Sequence, residues 1–129
     1  MRQICELGSN IGTALAGLAV RYPDARLLGV EADPSNAALA RANVAGYGAR
    51  CQVVEAAVWD QEAELVVVGD RADALEVRPR RASDPPAPNS IRGRTVDSLL
   101  AEHMPDGAID YMHMNVEGTE KRILSGEAR

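Results

Sequence analysis

The chain contains no phenylalanine and few other aromatic side chains, with one tryptophan and three tyrosines among its 129 residues. Its interior must therefore be built from alanine, valine, leucine and isoleucine, as α/β proteins with close helix-to-sheet packing often are. A chain of this length supports one domain with a modest core. No signal peptide is visible in the sequence, and no apolar run approaches the ~20 residues of a membrane span. We therefore expect a soluble, cytoplasmic protein without a membrane partner.

Basic residues are outnumbered by acidic ones, and the formal net charge is −5. A general nucleic-acid binder needs a basic surface, so the composition argues against nucleic acid as a partner. The only cysteines are Cys5 and Cys51. They fall in predicted strands 1 and 3, roughly 10 Å apart in a sheet ordered 3-2-1, so we expect buried free thiols and no disulfide. Neither has a second Cys or His at ligand spacing, so no metal site is expected.

The most informative pattern lies in the first 31 residues. A short apolar strand closes with Glu6-Leu7-Gly8-Ser9-Asn10-Ile11-Gly12 and is followed by a helix and by a second strand that ends on Glu31. A strand that turns through glycines into a helix brings N–H groups and the positive helix terminus to one point. An acid at the end of the neighbouring parallel strand can accept hydrogen bonds from both hydroxyls of a ribose. The pattern predicts a site for an adenosine-containing cofactor.

The dinucleotide fingerprint G-x-G-x-x-G is missing from this turn. The chain has E-x-G-x-x-x-G instead, and the third residue after Glu6 is Ser9 rather than a glycine. Glu6 would repel a phosphate but suits an ammonium group, which favours S-adenosylmethionine over NAD. A strand-to-helix turn without any ligand is the alternative, because glycines also end strands for steric reasons.

The first 58 residues predict a β-α-β-α-β unit. Helical periodicity indicates a first helix that ends at Tyr22-Pro23-Asp24 and a second that begins with Asp33 as its N-cap and stops at Gly46-Tyr47-Gly48. Strands are predicted at about residues 26–31 and at residues 51–58. Right-handed crossovers between such strands imply a parallel sheet.

Beyond this unit the pattern breaks. Residues 64–69 predict a strand of a hairpin, and residues 70–94 form a polar insertion in which five arginines stand against one acid between positions 78 and 94. We favour a solvated, mobile insertion over a lid that contacts substrate. Regular structure is expected to resume with a short helix capped by Thr95, followed by a strand at Ile109–Val116 that is apolar on both faces, as central parallel strands are.

Five sequence blocks carry a resemblance to a known family: Glu6–Gly12, Glu31–Pro34, Glu55–Asp60, Thr95–Leu100 and Ile109–Glu120. In order and spacing they resemble the FkbM-type S-adenosylmethionine-dependent methyltransferases. The resemblance covers nearly the whole chain and implies a class I methyltransferase domain over residues 1–129. The expected fold is α/β, with a Rossmann-like, doubly wound, mostly parallel sheet of order 3-2-1-4 that lacks the later strands.

The resemblance implies S-adenosylmethionine as cofactor, bound at the carboxyl ends of strands 1 to 3. The glycine loop would wrap the methionine portion, Glu6 would lie near its ammonium group, Glu31 would hold the ribose, and the stretch after strand 3 would border the adenine. The implied reaction is O-methylation of a hydroxyl on a small molecule or sugar. The cofactor-binding residues assigned in this way are Glu6, Gly8, Ser9, Asn10, Gly12, Glu31, Ala32, Glu55, Ala56 and Ala57.

The catalytic candidates lie where the chain departs from the family pattern. The family commonly reads Lys-Ile-Asp-Val-Glu-Gly where this chain has His113-Met114-Asn115-Val116-Glu117-Gly118. Asn115 can donate and accept hydrogen bonds but cannot act as a base, whereas His113 could do so at neutral pH. We favour a buried structural role for His113. Glu117 is either a base or ligand, or it only complements the dipole of the helix that follows.

The expected sheet ends at strand 4, which would leave an apolar edge that soluble proteins avoid. We therefore expect a fragment, a truncated product, a homo-oligomer or a partner chain that completes the sheet. Two other functions stay open. One is a non-catalytic module that binds a nucleoside cofactor, favoured by the missing strands and Asn115. The other is an NAD-dependent oxidoreductase, disfavoured by the glycine spacing and by the lack of a Tyr-x-x-x-Lys relay.

Overall fold

The computed structural model describes residues 2–68, 76–84, 90–105 and 108–115. Within these residues no helix is long and apolar enough to cross a membrane. A 3-10 turn at Ala45–Arg50 leads into the third strand. The remaining elements, in chain order, are β1 (Gln3–Leu7), α1 (Thr13–Arg21), β2 (Arg26–Glu31), α2 (Pro34–Val44), β3 (Cys51–Glu55), β4 (Ala57–Val58), β5 (Ala63–Val68), β6 (Glu76–Pro79), β7 (Ser90–Arg94), α3 (Val96–His103) and β8 (Tyr111–Met114).

The main sheet has four parallel strands in the order β3-β2-β1-β8. This confirms the predicted Rossmann-like α/β fold and the order 3-2-1-4, with β8 as the fourth strand. Leu7 near the end of β1 pairs with Val30 of β2 and with Met114 of β8. The carboxyl ends of these strands therefore meet at one edge of the sheet, which is where ligands bind in open α/β sheets.

Helices cover both faces of β1 and β2. Cys5, Leu7, Leu28 and Val30 pack with Leu99 of α3 on one face. On the other face, Ile4 and Leu27 pack with the buried side of α1 and with Cys51. Alternating side chains of a strand point to opposite faces, so these two clusters follow directly from the apolar sequences of β1 and β2.

Both cysteines are free and buried, as predicted. Burial, helped by the neighbouring Glu6 charge, raises the pKa of the Cys5 thiol to about 12. Burial also raises the pKa of Cys51, with the charge of Arg50 opposing the rise. Thiols of this kind stay protonated at neutral pH and are poor nucleophiles.

A second sheet, of order β4-β7-β5-β6, follows β3. The prediction of one strand over residues 51–58 is wrong, because the chain leaves the main sheet after Glu55 and β4 pairs with β7 instead. The predicted hairpin is confirmed by antiparallel pairing of β5 with β6. The interpretation of residues 70–94 as an irregular insertion is wrong for 76–79 and 90–94, which form β6 and β7. Residues 69–75 and 85–89 lie outside the described part of the chain.

Ion pairs stabilise this second sheet. Arg78 holds Asp84 through two hydrogen bonds of 2.9 and 2.6 Å, and Asp84 also accepts the N–H of Arg81 at 2.6 Å. The bonds from Arg78 and Arg81 hold the pKa of Asp84 well below its usual range. Other arginines of the segment pair with acids outside it: Arg80 with Glu64, and Arg94 with Glu62 and Glu102. These acids neutralise much of the basic charge seen in the sequence of the segment.

The N-cap predictions for α2 and α3 are confirmed. Asp33 accepts hydrogen bonds from the N–H groups of Ser35 at 2.8 Å and Asn36 at 3.4 Å. Thr95 Oγ1 accepts the N–H of Ser98 at 3.1 Å. Side-chain oxygens at this position satisfy N–H groups that have no partner within the helix.

Asp110 fixes the start of β8 against the start of β1. Its Oδ2 accepts the N–H groups of Arg2 at 2.7 Å and of Gln3 at 2.9 Å, and its own N–H donates to the Gln3 carbonyl at 2.9 Å. The hydrogen bonds from Gln3 and Arg2 lower the pKa of Asp110. An aspartate at this position therefore selects the register of β8.

We expect Asp110→Asn to cost more stability at neutral pH than in acid. Because the folded-state pKa is lowered, the carboxylate contributes stability above the unfolded-state pKa of about 3.9, and loses it as the pH falls through the folded-state value. Urea unfolding of both proteins at pH 7 and about pH 3 measures this difference. Asp24→Asn, at an exposed acid in the turn before β2, is the control. If the difference in free energy of unfolding between wild type and Asp110→Asn is the same at both pH values, the prediction is wrong.

Candidate functional site

Residues 8–12 form a tight loop from β1 to α1, and most of the N–H groups of this loop donate hydrogen bonds to acceptors within the protein. Gly8 and Ser9 donate to the same acceptor, the carbonyl of Val30, at 2.8 and 3.0 Å. Asn10 donates to Glu31 Oε1 at 2.8 Å, and Gly12 donates to the Ser9 carbonyl at 2.9 Å. These four N–H groups are therefore satisfied by the end of β2 and by the loop itself.

The two glycines of this loop are required by packing. Gly8 and Gly12 have φ of +84° and +83°, values that side chains rarely adopt. A Cβ on Gly8 would lie 2.1 Å from the Asn115 carbonyl oxygen, and a Cβ on Gly12 would lie 2.8 Å from Ala40 Cα. The resemblance implies that the glycine loop wraps a ligand. The structure shows that Gly8 also makes room for the backbone at the end of β8.

Glu31 connects the three segments that surround the carboxyl end of β2. Its side chain is 8% exposed. Oε1 accepts the N–H of Asn10 and Oε2 accepts the N–H of Asp33 at 2.9 Å, while its backbone carbonyl accepts the N–H of Ala56 at 3.0 Å. A carboxylate has about four acceptor positions, so each oxygen can accept a further donor.

The other residues predicted beside Glu31 lie at the junction of the two sheets. Glu55, at the exposed end of β3, pairs in register with Glu31. Ala56 and Ala57 are buried where the chain passes from one sheet to the other. Ala32 packs on the cluster that contains Trp59 and Leu65 in the second sheet. The structure therefore brings the predicted residues 6–12, 31–32 and 55–57 to the same edge of the main sheet.

Glu6 and His113 form a pair between adjacent strands, in direct register on β1 and β8. Their side chains meet with Glu6 Oε2 and His113 Nδ1 3.2 Å apart. Burial raises the pKa of Glu6, while the hydrogen bond and charge of His113 oppose the rise. The Glu6 side chain is 2% exposed and that of His113 is 47% exposed. The prediction that His113 is buried is therefore wrong, because its side chain is half-exposed.

Two buried polar atoms near this pair have no hydrogen-bond partner among the described residues. They are Glu6 Oε1 and Ser9 Oγ. Gly29 of β2 lies between the two residues, because it pairs in register with Glu6 and a Cβ at Gly29 would lie 3.2 Å from Ser9 Oγ. Buried polar atoms normally have partners, so Glu6 Oε1 and Ser9 Oγ are two open hydrogen-bond acceptors beside the glycine loop.

Sequence reasoning assigned Glu6 and His113 to the site separately and missed their contact. The contact follows from the observed strand ends, which place each residue one position before the last residue of its strand. Since side chains alternate along strands, two such residues on neighbouring strands share a face. The sequence, which predicted the fourth strand to run to Val116, gave no such signal. It was also missed that Glu62 accepts the N–H of Thr95 at 2.7 Å, which holds the start of α3.

Of the two remaining catalytic candidates, Asn115 and Glu117, the structure describes Asn115. Asn115 is exposed, its N–H donates to the Leu7 carbonyl at 2.8 Å, and its own carbonyl packs against Gly8. Glu117 lies outside the described residues. Among the residues that the structure describes, no group of three or more His, Cys, Asp or Glu side chains could hold a metal ion.

Comparison with known proteins identifies one family. The family model described as the methyltransferase FkbM domain matches residues 6–129. The match includes the glycine loop, Glu31, the sheet junction and β8. No curated protein matches the sequence significantly.

Proposed function

Because the chain belongs to the FkbM methyltransferase family, we propose that it transfers a methyl group from S-adenosylmethionine to a hydroxyl oxygen of a small molecule or sugar. The family membership implies a methyl donor. The observation that carries the choice of donor is the buried carboxylate of Glu31, held between the glycine loop and Asp33. Its free acceptor positions suit the two hydroxyls of a ribose.

Glu6 fits the amino-acid end of this cofactor. Its Oε1 is buried without a partner among the described residues, and an ammonium group would satisfy it with a charged hydrogen bond. Ser9 Oγ offers a second acceptor on the same face. On this proposal Glu6 and Ser9 bind the methionine portion, Glu31 binds the ribose, and the backbone of residues 55–57 borders the adenine.

The same loop argues against a dinucleotide. A pyrophosphate binds to free N–H groups at a glycine-rich turn. Here the N–H groups of Gly8, Ser9, Asn10 and Gly12 are already donated to the protein. A pyrophosphate would also approach the Glu6 carboxylate. NAD is therefore disfavoured by the hydrogen bonds of the loop as well as by its glycine spacing.

When bound, S-adenosylmethionine supplies a methyl group activated by the positive sulfur. The chain's own residues hold the two reactants in line and exclude water, which is where much of the catalysis of such a displacement comes from. One observation favours a second candidate, a binding module without catalysis. Asn115, at the end of β8, stands where the family commonly has aspartate, and an amide cannot accept a proton.

We expect S-adenosylmethionine and S-adenosylhomocysteine to bind the protein and NAD not to bind. Isothermal titration calorimetry with the three compounds under one set of conditions measures this. Adenosine alone is the control for the ribose and adenine contribution, and its weaker binding would support the contact of Glu6 with the amino-acid end. Binding of NAD with no binding of S-adenosylmethionine would refute the proposed function.

A further inference from the structure

We propose that His113 accepts the proton of the methyl acceptor and that Glu6 positions the His113 ring for this step. The inference rests on the proposed function and adds a catalytic residue to it. Its basis is the contact between a buried carboxylate and a half-exposed imidazole at the carboxyl edge of the sheet, beside the glycine loop.

The contact determines which ring nitrogen is available. Ionised Glu6 only accepts hydrogen bonds, so Nδ1 of His113 carries the proton that points to Glu6 Oε2, 3.2 Å away. The lone pair of neutral His113 then lies on Nε2, on the side of the ring away from Nδ1. A carboxylate that fixes an imidazole in this way also stabilises the positive charge that the ring gains with a proton.

His113 is better placed for this role than the acidic residues at this edge of the sheet. His113 lies two residues before Asn115, about 7 Å along the strand, and Asn115 contacts the glycine loop at Gly8. Glu31 has both oxygens bonded to backbone N–H groups. Glu55 stands on β3, three strand spacings or about 14 Å from β8. Among the described residues, His113 is the half-exposed base beside the loop.

The proton transfer completes the displacement. The acceptor oxygen forms a bond to the methyl carbon while the carbon–sulfur bond breaks, and the electron pair of that bond stays on sulfur. The hydroxyl proton passes to Nε2 of His113 and from there to solvent. Glu6 contributes through its two oxygens: Oε2 holds the imidazole, and Oε1 remains for the ammonium group of the cofactor. One buried carboxylate therefore links cofactor binding to the position of the base.

Chemical modification tests the location without an acceptor. Diethyl pyrocarbonate acylates neutral imidazoles, and the chain has two histidines, which mass spectrometry can follow separately. His103, whose Nδ1 lies 3.1 Å from Gln52 Oε1, is the internal control. We expect saturating S-adenosylhomocysteine to slow acylation of His113 and to leave His103 unaffected. If the compound binds and the His113 rate does not change, the proposal is overturned.

The role of Glu6 is tested by the rate of methyl transfer at saturating S-adenosylmethionine. In Glu6→Gln a neutral amide faces the His113 ring and no longer stabilises the positive charge that the ring gains with the proton, so kcat should fall by about tenfold or more. A merely structural Glu6 would change the unfolding temperature and leave kcat in place. An unchanged kcat in folded Glu6→Gln overturns the positioning role.

His113→Asn tests the chemistry, because an asparagine amide can still donate to Glu6 but cannot accept a proton. Transfer of labelled methyl groups to a panel of monosaccharides and phenols should fall by about 100-fold or more. The remaining rate should lose its rise between about pH 5 and 8, where imidazoles titrate. Affinity for S-adenosylmethionine should stay at the wild-type level, and His103→Asn should keep the wild-type rate.

The outcomes separate this inference from the proposed function. Wild-type transfer by His113→Asn overturns the inference while the protein remains a methyltransferase. Failure of the wild-type protein to bind S-adenosylmethionine refutes the proposed function itself. If no compound of the panel is methylated, the protection of His113 from acylation decides: protection supports the inference, and its absence overturns it.

Discussion

Gly8→Ala should destabilise the protein by about 2–5 kcal/mol and abolish binding of S-adenosylmethionine. Two costs add at this residue. A side chain at φ +84° costs about 1–2 kcal/mol, and the new Cβ would lie 2.1 Å from the Asn115 carbonyl oxygen, so the end of β8 must move, at a further cost of about 1–3 kcal/mol. Urea unfolding measures the loss of stability, and calorimetry on the folded fraction measures the loss of cofactor binding.

Control substitutions at two other glycines separate the cost of backbone strain from the cost of the clash with β8. Gly48 has φ +67° but a Cβ there would meet nothing within 4 Å, so Gly48→Ala carries backbone strain without a clash. Gly46 has neither feature, and Gly46→Ala should change stability by less than about 1 kcal/mol. Gly8→Ala should be the most destabilising of the three. A loss no larger than that of Gly48→Ala would show that β8 does not press on the loop.

The part of the fold that could be predicted is the part specified by local signals. The glycine loop, the N-cap at Asp33 and the acid at the end of β2 each mark a boundary within a few residues of the chain. The handedness of β-α-β connections then implies a parallel sheet, whereas the strand order 3-2-1-4 was implied by the family resemblance. The doubly wound fold implied by the resemblance also places helices on both faces of the sheet, as the structure shows for β1 and β2.

The second sheet could not be predicted because its stabilising contacts come from elsewhere. The segment around Arg78 reads as a solvated loop when its charges are counted locally. Arg94 of β7, however, pairs with Glu62 before β5 and with Glu102 on α3. Pairing of this kind depends on segments distant in sequence. The end of β3 at Glu55 was missed because the apolar residues that follow it are buried as those of a strand would be. Ala56 and Val58 lie in the core of the main sheet and Ala57 in that of the second sheet, although the backbone of β4 pairs with β7.

Within the site, positions were predictable and contacts were not. The sequence indicated Glu6, Glu31 and His113 as polar residues at strand ends. It did not show that Glu31 is bonded to both the loop and Asp33, or that His113 faces Glu6. These contacts follow from the register between strands, which the turn residues of a parallel sheet do not determine. The burial of His113 was misjudged because its strand was expected to be apolar on both faces, whereas Tyr111, His113 and Asn115 are exposed on one of them.

Glu31→Gln should weaken binding of S-adenosylmethionine by about tenfold to 100-fold and lower stability by about 1–3 kcal/mol. The variant has the same shape but replaces one carboxylate oxygen with an amide NH2. That NH2 must then face the N–H of either Asn10 or Asp33, so two donors are buried against each other. The ribose loses an acceptor at the same time, which is why both affinity and stability should fall.

Calorimetry at a temperature where circular dichroism shows the variant to be folded separates the two effects. The control is Asp24→Asn, the same kind of change at an exposed acid beyond the opposite end of β2, and it should bind the cofactor like the wild type. If Glu31 only shapes the loop, a folded Glu31→Gln variant loses stability and keeps its affinity. That result would remove the ribose contact from the proposal. If one carboxylate connects the loop, the start of α2 and the ribose, both stability and affinity should fall.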